Sequence, residues 1–265
     1  DHGELNSLQH LNTQSTNSRS ISVDKFRRML RSRVFENESR YSETRALGSQ
    51  NLLPLPHQIE AVYSRMLQVP QVRFLLADDP GAGKTIMAGM LIRELKARQA
   101  VERVLILVPP LVLTQWQEEM HEKFSMDFTI LTRDSLRNNR VNPFLENAHC
   151  LASMYWATLD DVKPLVLEAD FDLVIVDEAH KMAAYTHGKV KRKVSRTKLF
   201  QLGDALLRRT EHCLLLTATP HKGDVENFRH LMSLLDPDIF SHHVANEALR
   251  EKSNPFIIRR LKESL

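Results

Sequence analysis

Six short apolar runs constrain what this chain can fold into. They are VRFLLA at 72–77, RVLILV at 103–108, FTILT at 128–132, CLAS at 150–153, DLVIV at 172–176 and CLLLTA at 213–218. Each is β-branched or leucine-rich, and none alternates apolar with polar residues as a strand with one wet face would, so each reads as a parallel strand buried on both sides. Helical spacing fills the intervals. In PHQIEAVYSRMLQ, the residues Ile59, Val62, Tyr63, Met66 and Leu67 fall at i, i+3, i+4, i+7 and i+8. Met87, Met90, Leu91 and Leu95 repeat that pattern, as do Val225, Phe228, Met232 and Leu235. Strand and helix in alternation predict an α/β fold over residues 51–265, a doubly wound parallel sheet.

Residues 1–50 differ in character. The first twenty are rich in Ser, Asn, Thr, Gln and His and predict a weakly ordered segment. In SVDKFRRMLRSRVF, Phe26, Met29, Leu30 and Val34 share a helical face, while Arg27, Arg28, Arg31 and Arg33 help to cover the rest. A mostly polar, partly helical N-terminal extension is expected. The chain is 42% hydrophobic and 26% charged, ordinary for a soluble protein, and no run reaches membrane-spanning length or resembles a secretory signal. These features predict a cytoplasmic protein with no membrane partner. Cys150 and Cys213 each sit in an apolar run without a CxxC neighbour, which predicts buried free thiols. A net charge of +3 is too small to argue for nucleic acid, so the placement of charge has to decide.

The chemistry concentrates at two strand ends. After VRFLLA comes DDPGAGK and then the helical TIMAGMLIREL. A loop between strand and helix aims backbone N–H groups and the positive end of the helix dipole at one point, which suits a triphosphate. Gly81 and Gly83 let the backbone curl where a Cβ would collide, Lys84 reaches toward β- and γ-phosphates, and the Thr85 hydroxyl suits Mg2+. Asp78 stands where the strict pattern has its first glycine, and a bare GKT is common. The second strand end is DLVIVDEAHK, where Asp177 and Glu178 emerge at the carboxyl edge of the sheet. Two acids there suit a solvated loop equally well when taken alone. Coupled to an upstream phosphate loop, they predict Asp177 holding Mg2+ through water and Glu178 polarising the attacking water, with Glu178, Lys84 and Asp177 as the catalytic set.

DDPGAGKT, DEAH and TATPH stand in the order and spacing of motifs I, II and III of superfamily-two helicases. The loop resembles the acidic "DE.G.GKT" form of Swi/Snf-type ATPases, in which an acid replaces the first glycine. LPHQIEAV, LILVPPLVLTQWQEE, LLDPDIF and NPFIIRRLKE extend the resemblance over about residues 53–265. Pro80 and Ala82 replace bulkier residues usual in remodellers without removing a ligand. The resemblance implies a RecA-like first motor lobe that binds ATP and Mg2+. Its nucleotide contacts would be Gln58, Asp79, Pro80, Gly81, Ala82, Gly83, Lys84, Thr85 and Ile86, with Gln58 reading the adenine edge. It further implies that His180, Thr217, Ala218 and Thr219 couple the nucleotide to DNA or to a second lobe, and that the loop after Pro109 and Pro110 touches the DNA backbone. Trp116 is assigned to packing.

Lys189, Lys191, Arg192, Lys193, Arg196 and Lys198 fall within ten residues that hold no acid. Such a run is either a solvated face or a phosphate-contacting loop beside a motor's working edge. DNA contact is expected from Lys189, Lys191, Arg192, Lys193 and Arg196. NPFIIRR resembles the end of a first lobe, so the second RecA-like lobe, with its arginine finger, is expected to lie outside this sequence. The resemblance implies ATP-driven translocation on double-stranded DNA. LLADDPGAGKTIMAGMLIREL, TRDSLRNNRVNPFLEN and TATPHKGDVENF most resemble helicase subunits of DISARM-type anti-phage systems, which implies other defence subunits as partners. A Swi/Snf-like ATPase acting on RNA polymerase, a restriction-enzyme motor and a non-hydrolysing ATP-gated DNA-binding module are the rivals. A pure binder has no need of Glu178.

Overall fold

A computed structural model describes residues 53–78, 81–138, 141–187, 193–219, 225–240 and 246–259. The expected helix at Phe26–Val34 and the whole polar extension lie outside the described residues. So do Asp79, Pro80, Lys189, Lys191 and Arg192.

All six apolar runs are strands. They are β1 (Arg73–Leu76), β2 (Val104–Val108), β3 (Thr129–Leu131), β4 (His149–Ser153), β5 (Leu173–Val176) and β8 (His212–Leu216). A short edge strand, β9 (Ile257–Ile258), completes a seven-stranded sheet of order β3-β4-β2-β5-β8-β1-β9. Every pairing in it is parallel. Helices cover both faces, so successive strand residues enter opposite apolar layers. Leu75, Leu105, Val174 and Leu215 pack in one layer, and Leu76, Ile106, Ile175 and Leu214 in the other. Cys150 and Cys213 are buried free thiols in this interior, as expected.

The helices that matter for the site follow the strands that carry it. Helix α1 (Pro56–Tyr63) precedes β1, and α2 (Lys84–Ala97) follows it. Helix α3 (Leu113–Phe124) follows β2 after a 3-10 turn at Pro110–Val112. Pro56 opens α1 at a position where its missing N–H costs nothing. Between Leu113 and the αL residue Ser125, which closes α3, only Trp116, Met120 and Phe124 are buried, a four-residue apolar stripe. Three short helices, α4 (Arg133–Asn138), α5 (Pro143–Glu146) and α6 (Lys163–Glu168), fill the connections toward β5.

Between β5 and β8 the chain adds a feature that the sequence did not announce. Strands β6 (Ala184–His187) and β7 (Lys193–Arg196) pair antiparallel in a separate two-stranded ribbon. The basic run read as a loop therefore ends in a strand, and Lys193 and Arg196 belong to β7. Thr197 then caps α7 (Lys198–Leu207), its hydroxyl accepting from Phe200 N at 3.1 Å. Helix α8 (Val225–Ser233) lies against β6, and α9 (Asn246–Ser253) precedes β9. Arg73, at the start of β1, donates to the carbonyls of Leu207, Thr210, Leu234 and Leu235 at 2.6–3.1 Å. These carbonyls lie at or just past the ends of α7 and α8, so one cation satisfies groups that no intrahelical N–H reaches.

Candidate functional site

Strands β5, β8 and β1 are adjacent, and their registers align Val176 with Leu215 and Leu76 with Leu216. Residues immediately after these strands are thus brought to one edge, with neighbouring strands about 5 Å apart. Three sequence segments far apart in the chain meet there: the loop after β1, the acids after β5 and the threonine after β8. This is the carboxyl edge at which open α/β sheets place ligands.

The loop after β1 turns on glycine. Gly81 has φ +86° and Gly83 φ +77°, and Gly83 is the residue from which α2 starts. The positive φ favours glycine, and a Cβ on Gly83 would lie 2.2 Å from Gln58 Nε2, so the Gln58 amide would have to shift to admit a side chain. Lys84 Nζ donates to the Asp78 carbonyl at 2.9 Å, folded over the loop it belongs to. Thr85 and Ile86 occupy the first turn of α2, half-buried, while Ala82 is buried.

Gln58 was expected to meet adenine. Here its Oε1 accepts from Leu55 N at 2.9 Å, closing the start of α1, and its Nε2 donates to the Ala82 carbonyl at 3.3 Å. His57 Nε2 lies 3.2 Å from the same carbonyl. The start of α1 therefore braces the phosphate loop through two neighbouring side chains. His57 lies within the LPHQIEAV stretch, but no role was assigned to it there.

The acids after β5 are held differently. Asp177 Oδ1 accepts from Glu178 N at 2.8 Å, and Oδ2 accepts from Trp116 Nε1 at 3.1 Å. Burial pushes the Asp177 carboxyl above the usual carboxylate range, the Glu178 charge adds to that, and the two N–H donors and the Lys84 charge work against it. Trp116, assigned to packing, is indeed buried in the layer that holds Ile106 and Ile175. That assignment was incomplete, since its indole N–H reaches the site. A buried tryptophan ordinarily finds a partner for its N–H, and that rule was the available signal. Glu178 sits in the left-handed region at φ +50°. This conformation is costly for a side-chain-bearing residue and is typical of positions where function fixes the backbone.

His180 joins the second strand end to the third. Its Nδ1 is 3.0 Å from Glu178 Oε2 and 3.0 Å from Thr217 Oγ1. Thr217 is fully buried, its hydroxyl accepts from Thr219 N at 3.1 Å, and its own N–H donates to the Leu76 carbonyl at the end of β1. The one His180 nitrogen thus lies between Glu178 and Thr217, and Thr217 in turn holds Thr219. Ala218 lines this turn half-buried without a side-chain bond to contribute.

Hard oxygen donors at Thr85 and Asp177 suit Mg2+, which keeps several waters and binds through few protein groups plus phosphate. Among the described residues, no cluster of three or more His, Cys, Asp or Glu could hold a metal by protein ligands alone. A site that shares its metal with a phosphate is what this donor set fits.

Of the expected DNA contacts, Arg196 is exposed on β7, its guanidinium 5.7 Å from the Phe200 ring centre, and Lys193 pairs with His187 by backbone. In the turn after Pro109, Leu111 is 97% exposed at the same sheet edge. Among the described residues no helix is long and apolar enough to cross a membrane.

The parallel seven-stranded sheet flanked by helices, with a glycine-bearing loop after β1 and an acid pair after β5, is a RecA-like α/β fold. Within that class, a family model described as SNF2-related domain matches residues 57–265, and the chain belongs to that family. It is 32% identical over 203 residues to the uncharacterized ATP-dependent helicase YqhH of Bacillus subtilis, covering 76% of this chain and 33% of the relative. It is 34% identical over 199 residues to the RNA polymerase-associated protein RapA of Pasteurella multocida, covering 72% and 20%. The chain therefore spans a third or less of the length of these relatives. Among solved structures, the Sulfolobus solfataricus SWI2/SNF2 ATPase core in complex with dsDNA matches with a TM-score of 0.65 at 22% identity, over 83% of this chain and 47% of that one. A second structure, of the Sulfolobus solfataricus SWI2/SNF2 ATPase core domain, matches with a TM-score of 0.59. These structural likenesses carry the RecA-like fold.

Proposed function

We propose that this chain is the ATP-binding lobe of a Swi/Snf-like motor that translocates on double-stranded DNA. The observation that carries the reading is the convergence of three adjacent strand ends, which puts Lys84, Thr85, Asp177, Glu178 and Thr217 at one edge. In this reading the loop N–H groups and Lys84 bind the phosphates, and Lys84 leaves the Asp78 carbonyl to do so. Thr85 and Asp177 hold Mg2+, which supplies charge neutralisation on the phosphates. Glu178 orients the attacking water and accepts its proton. His180, touching both Glu178 and Thr217, reports the state of that carboxylate to the turn after β8. Residues 51–265 are this lobe, residues 1–50 are an N-terminal extension to it in sequence, and a second RecA-like lobe supplies the arginine that completes the site. Lys189, Lys191, Arg192, Lys193 and Arg196 contact DNA phosphates.

For setting, the stretches LLADDPGAGKTIMAGMLIREL, TRDSLRNNRVNPFLEN and TATPHKGDVENF favour a cytoplasmic anti-phage defence helicase that works with other defence subunits. The similarity to RapA favours a second setting, action on RNA polymerase. Pull-down of RNA polymerase by the protein would select the second.

The test of the core reading is a pair of substitutions. Lys84→Ala removes the cation that faces the phosphates and should abolish binding of a fluorescent ATP analogue. Glu178→Gln should leave that binding intact and stop hydrolysis. Equal, wild-type binding by both variants sinks the assignment.

A further inference from the structure

Trp116 lies on the first turn of α3, 3% exposed, with its ring in the apolar layer between α3 and the sheet. Packing explains the ring but not the indole nitrogen. A phenylalanine would fill nearly the same space and would leave Asp177 Oδ2 without its donor. The indole bond spans 61 residues of sequence and exists because β2, which feeds α3, neighbours β5, which feeds Asp177. An ionised carboxylate offers about four lone-pair directions. Trp116 Nε1 and Glu178 N occupy one on each oxygen, so rotation of the carboxylate plane is blocked from both sides and the remaining lone pairs keep one orientation.

We propose that Trp116 is a positioning residue for the metal-holding carboxylate of this site, its indole N–H fixing Asp177 in the orientation that accepts Mg2+ with bound nucleotide. The proposal rests on the nucleotide-site reading above. It assigns Trp116 no contact with nucleotide or metal, and its effect runs wholly through Asp177. Donors that orient metal ligands of this kind are worth about tenfold or more in metal affinity. Loss of the donor should therefore weaken the metal-dependent part of binding and spare the rest.

The experiment measures the affinity of the full chain for fluorescently labelled ADP, once with excess Mg2+ and once in EDTA. In the wild type, Mg2+ should tighten binding. In Trp116→Phe, the EDTA value should stay within about twofold and the tightening by Mg2+ should shrink by about tenfold. Asp177→Asn should also lose the tightening, and adding Trp116→Phe to it should change nothing further, as two residues acting on one step require. Equal losses with and without Mg2+ would make Trp116 a packing residue only, and an unchanged Mg2+ response would overturn the proposal outright. Lys84→Ala separates the two levels: if it weakens ADP binding while Trp116→Phe leaves the Mg2+ response intact, the positioning role alone falls. If Lys84→Ala has no effect, the nucleotide site itself is misassigned. A second measurement covers poor folding of Trp116→Phe. The chain holds two tryptophans, so in a Trp156→Phe background Trp116 is the sole indole. Its emission should change on adding ADP with Mg2+, and should not change with ADP in EDTA or in the Asp177→Asn variant. Identical emission with and without Mg2+ would refute the contact.

Discussion

Replacing Gly83 by alanine should expose how tightly the phosphate loop is braced by the helix before it. Two costs arise. At φ +77° an L-residue with a Cβ pays about 1–2 kcal/mol relative to glycine. The new Cβ would also lie 2.2 Å from Gln58 Nε2, so the amide must leave. It then gives up its bonds to Leu55 N and the Ala82 carbonyl, each worth about 1 kcal/mol net. The sum is about 3–4 kcal/mol. At about 2–4 °C per kcal/mol for a chain of this size, the melting temperature should fall by about 6–16 °C. A double-mutant cycle then isolates the steric part. Gln58→Ala alone should cost about 2 kcal/mol, the two bonds it makes. Gly83→Ala in that background should add only the backbone cost, so the double variant should be about as stable as Gly83→Ala alone, a coupling of about 2 kcal/mol. Denaturant unfolding of the four proteins measures it. Additive losses would mean that Gln58 does not occupy the space beside Gly83, and the bracing of the loop by α1 would have to be abandoned.

Other perturbations test separate parts of the molecule. Arg73→Leu removes charge-assisted bonds to four carbonyls beyond α7 and α8 and should cost about 3 kcal/mol or more, read by urea unfolding; a loss under 1 kcal/mol would show those carbonyls to be satisfied without it. His212 is buried with Nδ1 accepting from Val72 N, and burial, helped by the Arg73 charge, pushes its pKa down to about 4. Between that value and about 6.5 the folded state binds fewer protons than the unfolded one, so stability should fall as pH drops through this window, by up to about 1.4 kcal/mol per pH unit, and His212→Asn should flatten that slope. If Lys191, Arg192 and Lys193 contact duplex phosphates, replacing them by Ser should lower the salt dependence of log K by about 0.9 per lost contact; an unchanged slope returns them to a solvated face.

What the sequence revealed and what it concealed divide along a physical line. Five of the six runs were legible because their strands are almost wholly buried between two layers, as the fully buried VLILV of β2 shows, whereas β3 is a three-residue edge strand with Thr129 exposed. Strand β9 was not legible, because two residues carry no period and its pairing with β1 is a backbone event. The β6–β7 ribbon was hidden in a basic run, where charge dominates composition while the pairing depends on backbone N–H and C=O groups that every residue supplies. The residues that the sequence presents as motifs each lie within one loop: Gly81, Gly83, Lys84 and Thr85 after β1, Asp177 and Glu178 after β5. Trp116 and His57 act between loops, and their roles depend on which strands are neighbours. Strand order is decided by the packing of two apolar layers that draw residues from the whole chain, so no local window contains it. Gln58 shows the same limit from the other side: its partners here, Leu55 N and the Ala82 carbonyl, follow from how α1 lies against the loop. A motif thus identifies the groups able to do chemistry, whereas the side chains that hold those groups in place become visible only once the sheet has set its strands side by side.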